Sequence, residues 1–157
     1  DLFTTLSTTV RRVKVNHNVA LISDTVGFIS KIPVYMIEAF NSTLEELLYA
    51  DIVLVIIDAS DGLYELQKKF KSCYRTLIEI GVEPDKMIYV LNKSELLTDD
   101  EVLDRVDYLM LKENKKWIAI SALTGKNLDK LEKTIGKIFP NKKSQNNKNV
   151  GGKTYGN

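Results

Sequence analysis

The chain has 157 residues, of which 44% are apolar and 27% charged, with a net charge of +1. This describes one folded domain with a core of its own and excludes a disordered, collagenous or fibrous chain. The longest aliphatic run, Ile52 to Ile57, is too short to cross a membrane as a helix, no signal-like segment opens the sequence, and a single cysteine, Cys73, excludes an internal disulfide, so a cytoplasmic protein is expected.

The charge is unevenly placed. Residues 141–157 hold Lys142, Lys143, Lys148 and Lys153 and no acid, so this segment carries +4 and the remainder −3. The body is therefore no general polyanion binder. The last residues are expected to be a basic, disordered tail, and 1–140 the folded part. The chain starts at Asp1 and runs at once into a Thr-rich stretch, which reads as a piece of a longer protein.

Residues 10–16 alternate apolar and charged, the period of a half-exposed strand. After the turn-forming Asn16-His17-Asn18, Val19–Ile22 reads as a second strand, giving a hairpin with the only histidine at its tip. Pro33 to Ala50 has helical spacing at Ile37, Phe40, Leu44, Leu47 and Leu48. Ile52–Ile57 reads as a strand buried on both faces, as in a parallel sheet covered by helices. A helix follows through Leu63, Leu66, Phe70, Cys73, Tyr74 and Leu77, stopping near Gly81 and Pro84. Met87–Leu91 is a further buried strand. Residues 99–111 read as a helix with Val102, Leu103, Val106 and Leu109 inward, Trp117–Ile120 as a short strand, and Leu128, Leu131, Ile135 and Ile138 as the apolar stripe of a last helix ended by Pro140. Strands alternating with helices predict an α/β fold, with a mainly parallel sheet and one antiparallel edge hairpin.

In such sheets the ligand lies beyond the carboxyl ends of the strands. Those ends are polar: Asp24-Thr25-Val26-Gly27, Asp58, Asn92-Lys93-Ser94-Glu95 and Ser121-Ala122-Leu123-Thr124-Gly125. A carboxylate at Asp24 suits a water of a magnesium ion. Gly27, three residues on, lets a backbone N–H approach a phosphate oxygen. Glu95 can accept two parallel N–H bonds from a guanine edge, Asn92 can meet base acceptors and brace neighbouring loops, and the Lys93 stem can lie along a ring plane. Ser121 and Ala122 offer small side chains and backbone N–H groups to a base carbonyl. Each motif is weak alone. Their order on successive strand ends carries the weight. An acidic pocket of a flavodoxin-like receiver fold would use Asp24 and Asp58 but leaves the Asn92 and Ser121 motifs unexplained.

The set resembles the TRAFAC class of P-loop GTPases: Asp24-Thr25-Val26-Gly27 is similar to the D-x-x-G motif of switch II, Asn92–Glu95 to N-K-x-D, and Ser121-Ala122-Leu123 to the base-edge motif. A closer resemblance is to the HflX family of ribosome-associated GTPases. Leu2-Phe3-Thr4-Thr5-Leu6 with Thr8-Thr9-Val10-Arg11-Arg12 is similar to its L-F-A-T-L-D-P-T-T-R-R. Asp24 to Pro33 is similar to D-T-V-G-F-I-R-K-L-P, and Glu38 to Glu46 to E-A-F-x-x-T-L-E-E. The resemblance runs from residue 1 to about 139 and implies a G domain, a three-layer sandwich, represented from switch I onward. It implies that Thr5 is the switch I threonine touching magnesium and the γ-phosphate, that Asp24 holds magnesium through water, and that Gly27 bonds the γ-phosphate, making Thr5 and Gly27 the catalytic positions. Thr25 and Val26 would border the nucleotide, and Asn92, Lys93, Glu95, Ser121, Ala122 and Leu123 would bind the guanine base. GTP or GDP with Mg2+ would be the cofactors and the large ribosomal subunit the partner, with neither membrane nor DNA involved.

Phe28, which the family's D-T-V-G-F shares, stands where many GTPases keep a catalytic glutamine, so slow intrinsic hydrolysis is expected. Two departures from the family pattern stand out: Glu95 replaces aspartate, and no G-x-x-x-x-G-K-[ST] occurs in the 157 residues. The resemblance places that loop, and a strand central to the sheet, upstream of Asp1. These residues alone are therefore expected not to bind or hydrolyse GTP. The alternative reading is a degenerate G domain kept as a protein- or RNA-binding module.

Overall fold

The structure, a computed structural model, describes residues 10–15, 17–23, 45–113 and 116–138. Thr5, Asp24, Thr25, Val26, Gly27 and Phe28, most of the helix expected from Pro33, and the tail 141–157 lie outside them.

Strands β1 (Val10–Val15) and β2 (Asn18–Ser23) pair antiparallel as the expected hairpin, Val10 opposite Ser23 and Val15 opposite Asn18. His17 turns the chain at φ 66° and is exposed. The hairpin buries Val15 and Ala20, while Val10, Val19 and Leu21 stay exposed. Of the helix expected over 33–50, the described end, Glu45–Tyr49, is a 3-10 turn, and Ala50 N–H donates to Leu47 O three residues back at 3.3 Å.

Strands β3 (Val53–Asp58), β4 (Met87–Asn92) and β5 (Trp117–Ala119) form a parallel sheet in the order β3-β4-β5. Helix α1 (Leu63–Ile80) links β3 to β4, and helix α2 (Asp99–Tyr108) links β4 to β5. Helix α3 (Leu128–Ile138) follows β5. Among the described residues the hairpin and the parallel sheet are separate sheets.

The core has two sides. Val53, Val55, Ile57, Met87, Tyr89 and Leu91 meet Leu66, Phe70 and Leu77 of α1 and Val106 of α2. On the other face Ile88, Val90 and Ile120 meet Leu131, Ile135 and Ile138 of α3. Helices on both faces make β4 the buried strand that its unbroken apolar run implied. Fully burying one such side chain stabilises by about 1.5–3 kcal/mol.

Three expectations need correction. Among the described residues the Ile52–Ile57 run is not buried on both faces: Ile52 and Leu54 pack on the α3 side, but Ile56 is 58% exposed, beyond the reach of the described helices. Leu103 is exposed, since one helical residue turns it about 100° away from the stripe of Val102, Val106 and Leu109. Leu128, the first residue of α3, is also exposed, while Leu131, Ile135 and Ile138 of the same stripe pack on the core.

The helix ends follow local chemistry. At α1 the C-cap Gly81 takes φ 101°, and Val82 N–H donates to Leu77 O at 2.9 Å. A side chain there would be strained. At α2, Thr98 Oγ1 accepts from Glu101 N–H at 3.2 Å while Glu101 Oε2 accepts from Thr98 N–H at 2.8 Å, a reciprocal cap.

Candidate functional site

Parallel register aligns the carboxyl ends of the strands. Asp58 stands beside Asn92, and Leu91 beside Ala119, so the polar residues that follow each strand emerge on one rim. The rim is stitched by backbone. Ala59 N–H donates to Asn92 O at 3.0 Å, Ser94 N–H to Ile120 O at 3.1 Å and Ile120 N–H to Leu91 O at 2.8 Å.

The loop after β4 turns sharply. Lys93 adopts φ 66° and ψ 30°, a left-handed conformation uncommon for a long side chain, and Ser94–Leu96 then forms one 3-10 turn. Asn92, which ends β4 just before that turn, reaches the β5 loop, where its Oδ1 accepts from Ala122 N–H at 3.0 Å. Ser94 is fully buried. Its Oγ and Glu95 Oε2 are buried atoms with no hydrogen-bond partner among the described residues, an arrangement that costs free energy unless another group completes it.

The loop after β5 is built around Ser121, which is fully buried. Its Oγ accepts from Thr124 N–H at 3.1 Å, its carbonyl from Gly125 N–H at 2.9 Å, and its own N–H donates to Lys126 O at 3.0 Å. Gly125 closes the turn at φ 84°. Asn127, at φ 60°, braces the loop from behind by donating Nδ2 to Ala119 O at 2.8 Å. Leu123 is 85% exposed.

The end of β3 adds charge. Asp58 Oδ1 accepts from Ser60 N–H at 3.0 Å and from Ser60 Oγ at 2.6 Å, and Asp58 Oδ2 accepts from Lys93 Nζ at 2.5 Å. Burial pushes the Asp58 carboxyl up, but the bonds from Lys93 and Ser60 outweigh it and hold it below its ordinary 3.8. The hydrogen bond to Asp58, and then its charge, push the Lys93 ammonium up. Ala59, between Asp58 and Ser60, is held by Asn92 O through its N–H and by Arg105 Nε of α2 through its carbonyl.

The structure thus brings Asn92, Lys93, Glu95, Ser121 and Ala122 onto one rim. Thr5, Asp24, Thr25, Val26 and Gly27 lie outside the described residues, and among those described no cluster of three or more His, Cys, Asp or Glu could hold a metal. Sequence reading missed Ser60, Arg105 and Asn127 as supports. The Asp58-x-Ser60 spacing was a signal for the first, because a carboxylate two residues before a serine favours such a turn. Arg105 had none, since its partner lies 46 residues away.

The family model described as "50S ribosome-binding GTPase" matches residues 1–93. GTPase HflX of Thermococcus kodakarensis is 40% identical over 106 residues, 68% of this chain and 24% of that protein. GTPase HflX of Lacrimispora saccharolytica is 38% identical over 143 residues, 90% of this chain and 32% of that protein. The chain thus spans a third or less of these relatives' length. Among solved structures, a GTP-binding protein from Sulfolobus solfataricus in complex with GDP superposes with a TM-score of 0.71 at 32% identity, covering 83% of this chain and 43% of that one. Fold and rim together define the domain of a P-loop GTPase, with a parallel α/β sheet, helices on both faces and N-K-x-[DE] and S-A loops meeting at the strand ends. The chain belongs to the 50S ribosome-binding GTPase family, in its HflX group.

Proposed function

We propose that the chain supplies the guanine-reading rim and the switches of a cytoplasmic, GTP-hydrolysing domain that acts on the large ribosomal subunit. The observation that carries this reading is the Asn92–Ala122 bond together with Glu95 Oε2, a buried oxygen with no partner among the described residues. The two loops form one rim, and among the described residues a carboxylate oxygen in it lacks a donor. Guanine offers two adjacent N–H donors on one edge, which a carboxylate can accept together. Lys93 would lie along the base, with Ser121, Ala122 and Leu123 bordering it. In this reading Thr5, and Asp24 through a water, would hold Mg2+, which would supply positive charge against the phosphates. Gly27 donates its N–H to the γ-phosphate, and Thr25 and Val26 border the nucleotide. Phe28 orients no water, so turnover depends on a partner that orders the switches. The matching family's description and the GDP carried by the Sulfolobus relative support the partner and the ligand.

The phosphate cradle is not among these 157 residues, so we infer that it comes from another part of the gene product. Calorimetry on the full-length gene product and on residues 1–157 tests this. GDP and GTP should bind the former, with preference over ADP, and leave the latter without measurable heat. Equal affinity for ADP and GDP would refute the base-reading role, and micromolar GDP binding by residues 1–157 would refute the division of labour.

A further inference from the structure

The base-reading rim contains a charged pair that its chemistry does not by itself require. Lys93 leaves its loop in the left-handed region, and its ammonium ends 2.5 Å from Asp58 Oδ2, 35 residues away in sequence. Both side chains are partly exposed, 50% for Lys93 and 33% for Asp58. A pair this wet contributes little to stability. Yet the carboxylate is fixed from several directions. Ser60 gives Asp58 Oδ1 two donors, which leaves Oδ2 for Lys93. The intervening Ala59 is bound on its N–H side by Asn92 O and on its carbonyl side by Arg105 Nε. The turn 58–60 is therefore locked both to the strand that carries the rim and to α2. A flexible lysine tied to a fixed acceptor loses most of its rotamer freedom before any ligand arrives, and so sacrifices less on binding.

We propose that Asp58, held by Ser60, is a positioning residue that presets Lys93 for nucleotide binding. Asp58 acts through the lysine and need not touch the ligand. This inference rests on the rim being the base site.

A double-mutant cycle in the full-length gene product tests it, with GDP affinity measured by calorimetry and the nucleotide-free thermal midpoint as a control. Lys93→Met keeps the stem and removes the ammonium. Asp58→Ala should weaken GDP binding about tenfold with the midpoint nearly unchanged. In the Lys93→Met background Asp58→Ala should cost no further affinity, because its only route to the ligand is already gone. Losses that add, or Asp58→Ala at wild-type affinity, would overturn the proposal. Should Asp58→Ala not fold, Ser60→Ala decides the matter. It should weaken GDP binding two- to threefold in the native background and not at all beside Lys93→Met, and an equal loss in both would overturn the proposal. A native protein that binds ADP as well as GDP would instead refute the base-site reading itself.

Discussion

Asn92 Oδ1 accepts the backbone N–H of Ala122 at 3.0 Å, across 30 residues of sequence, so a side-chain hydrogen bond ties the end of β4 to the loop after β5. Asn92→Ala removes the acceptor. We expect a loss of about 1 kcal/mol in urea unfolding, the usual net value of such a bond, together with a larger loss of GDP affinity in the full-length gene product. Asn92→Asp keeps an acceptor and should lose less stability.

Glu95→Asp shortens the side chain by one methylene and restores the carboxylate of the N-K-x-D pattern. GTP affinity should stay equal or become tighter. A tenfold weakening, about 1.4 kcal/mol, would show that the Glu95 carboxylate does not sit against the base.

Hydrolysis should separate the switch residues. If the proposed reading holds, Thr5→Ala and Asp24→Ala should impair magnesium-dependent turnover strongly, because phosphoryl transfer rests on positioning and charge stabilisation. Phe28→Ala should leave the basal rate within about threefold, since no polar group is lost. Single-turnover assays with and without large ribosomal subunits would check all three, and a collapse of the basal rate in Phe28→Ala with Asp24→Ala unaffected would overturn this mechanism.

Burial pushes the Cys73 thiol from an ordinary 9.0 up to about 11. The reactive species is the thiolate, so at pH 8 its fraction should be about a hundredfold below that of an ordinary thiol. Alkylation by iodoacetamide should be correspondingly slow in the folded chain, should rise about tenfold per pH unit toward pH 11, and should reach the ordinary rate in guanidinium.

Two substitutions test the frame. Thr98→Ala opens the cap of α2 and should cost about 1 kcal/mol. Leu66→Ala empties a fully buried site between α1 and the sheet and should cost about 2–5 kcal/mol. Chemical denaturation measures both, and equal losses would contradict the burial described for Leu66.

The sequence by itself determined the order of the elements and the identity of the rim. Period-two alternation at 10–15, the unbroken apolar run at 87–91 and the helical stripe through Leu66, Phe70 and Leu77 are local patterns, and so is Gly81 as a helix stop. The polar runs after β4 and β5 were legible for the same reason, because each is a short run of adjacent residues, while Asp24 to Gly27 lies outside the described residues. Tertiary structure decided what depends on neighbours distant in the chain. An apolar strand at 52–57 reads the same whether its faces are covered or not, and only the packing of the described elements leaves Ile56 exposed. Likewise the lysine of the β4 loop carries no mark of its partner. The parallel register that sets Asp58 beside Asn92, and the left-handed turn at Lys93, bring ammonium and carboxylate together, because charge pairing follows distance in space and not separation along the chain.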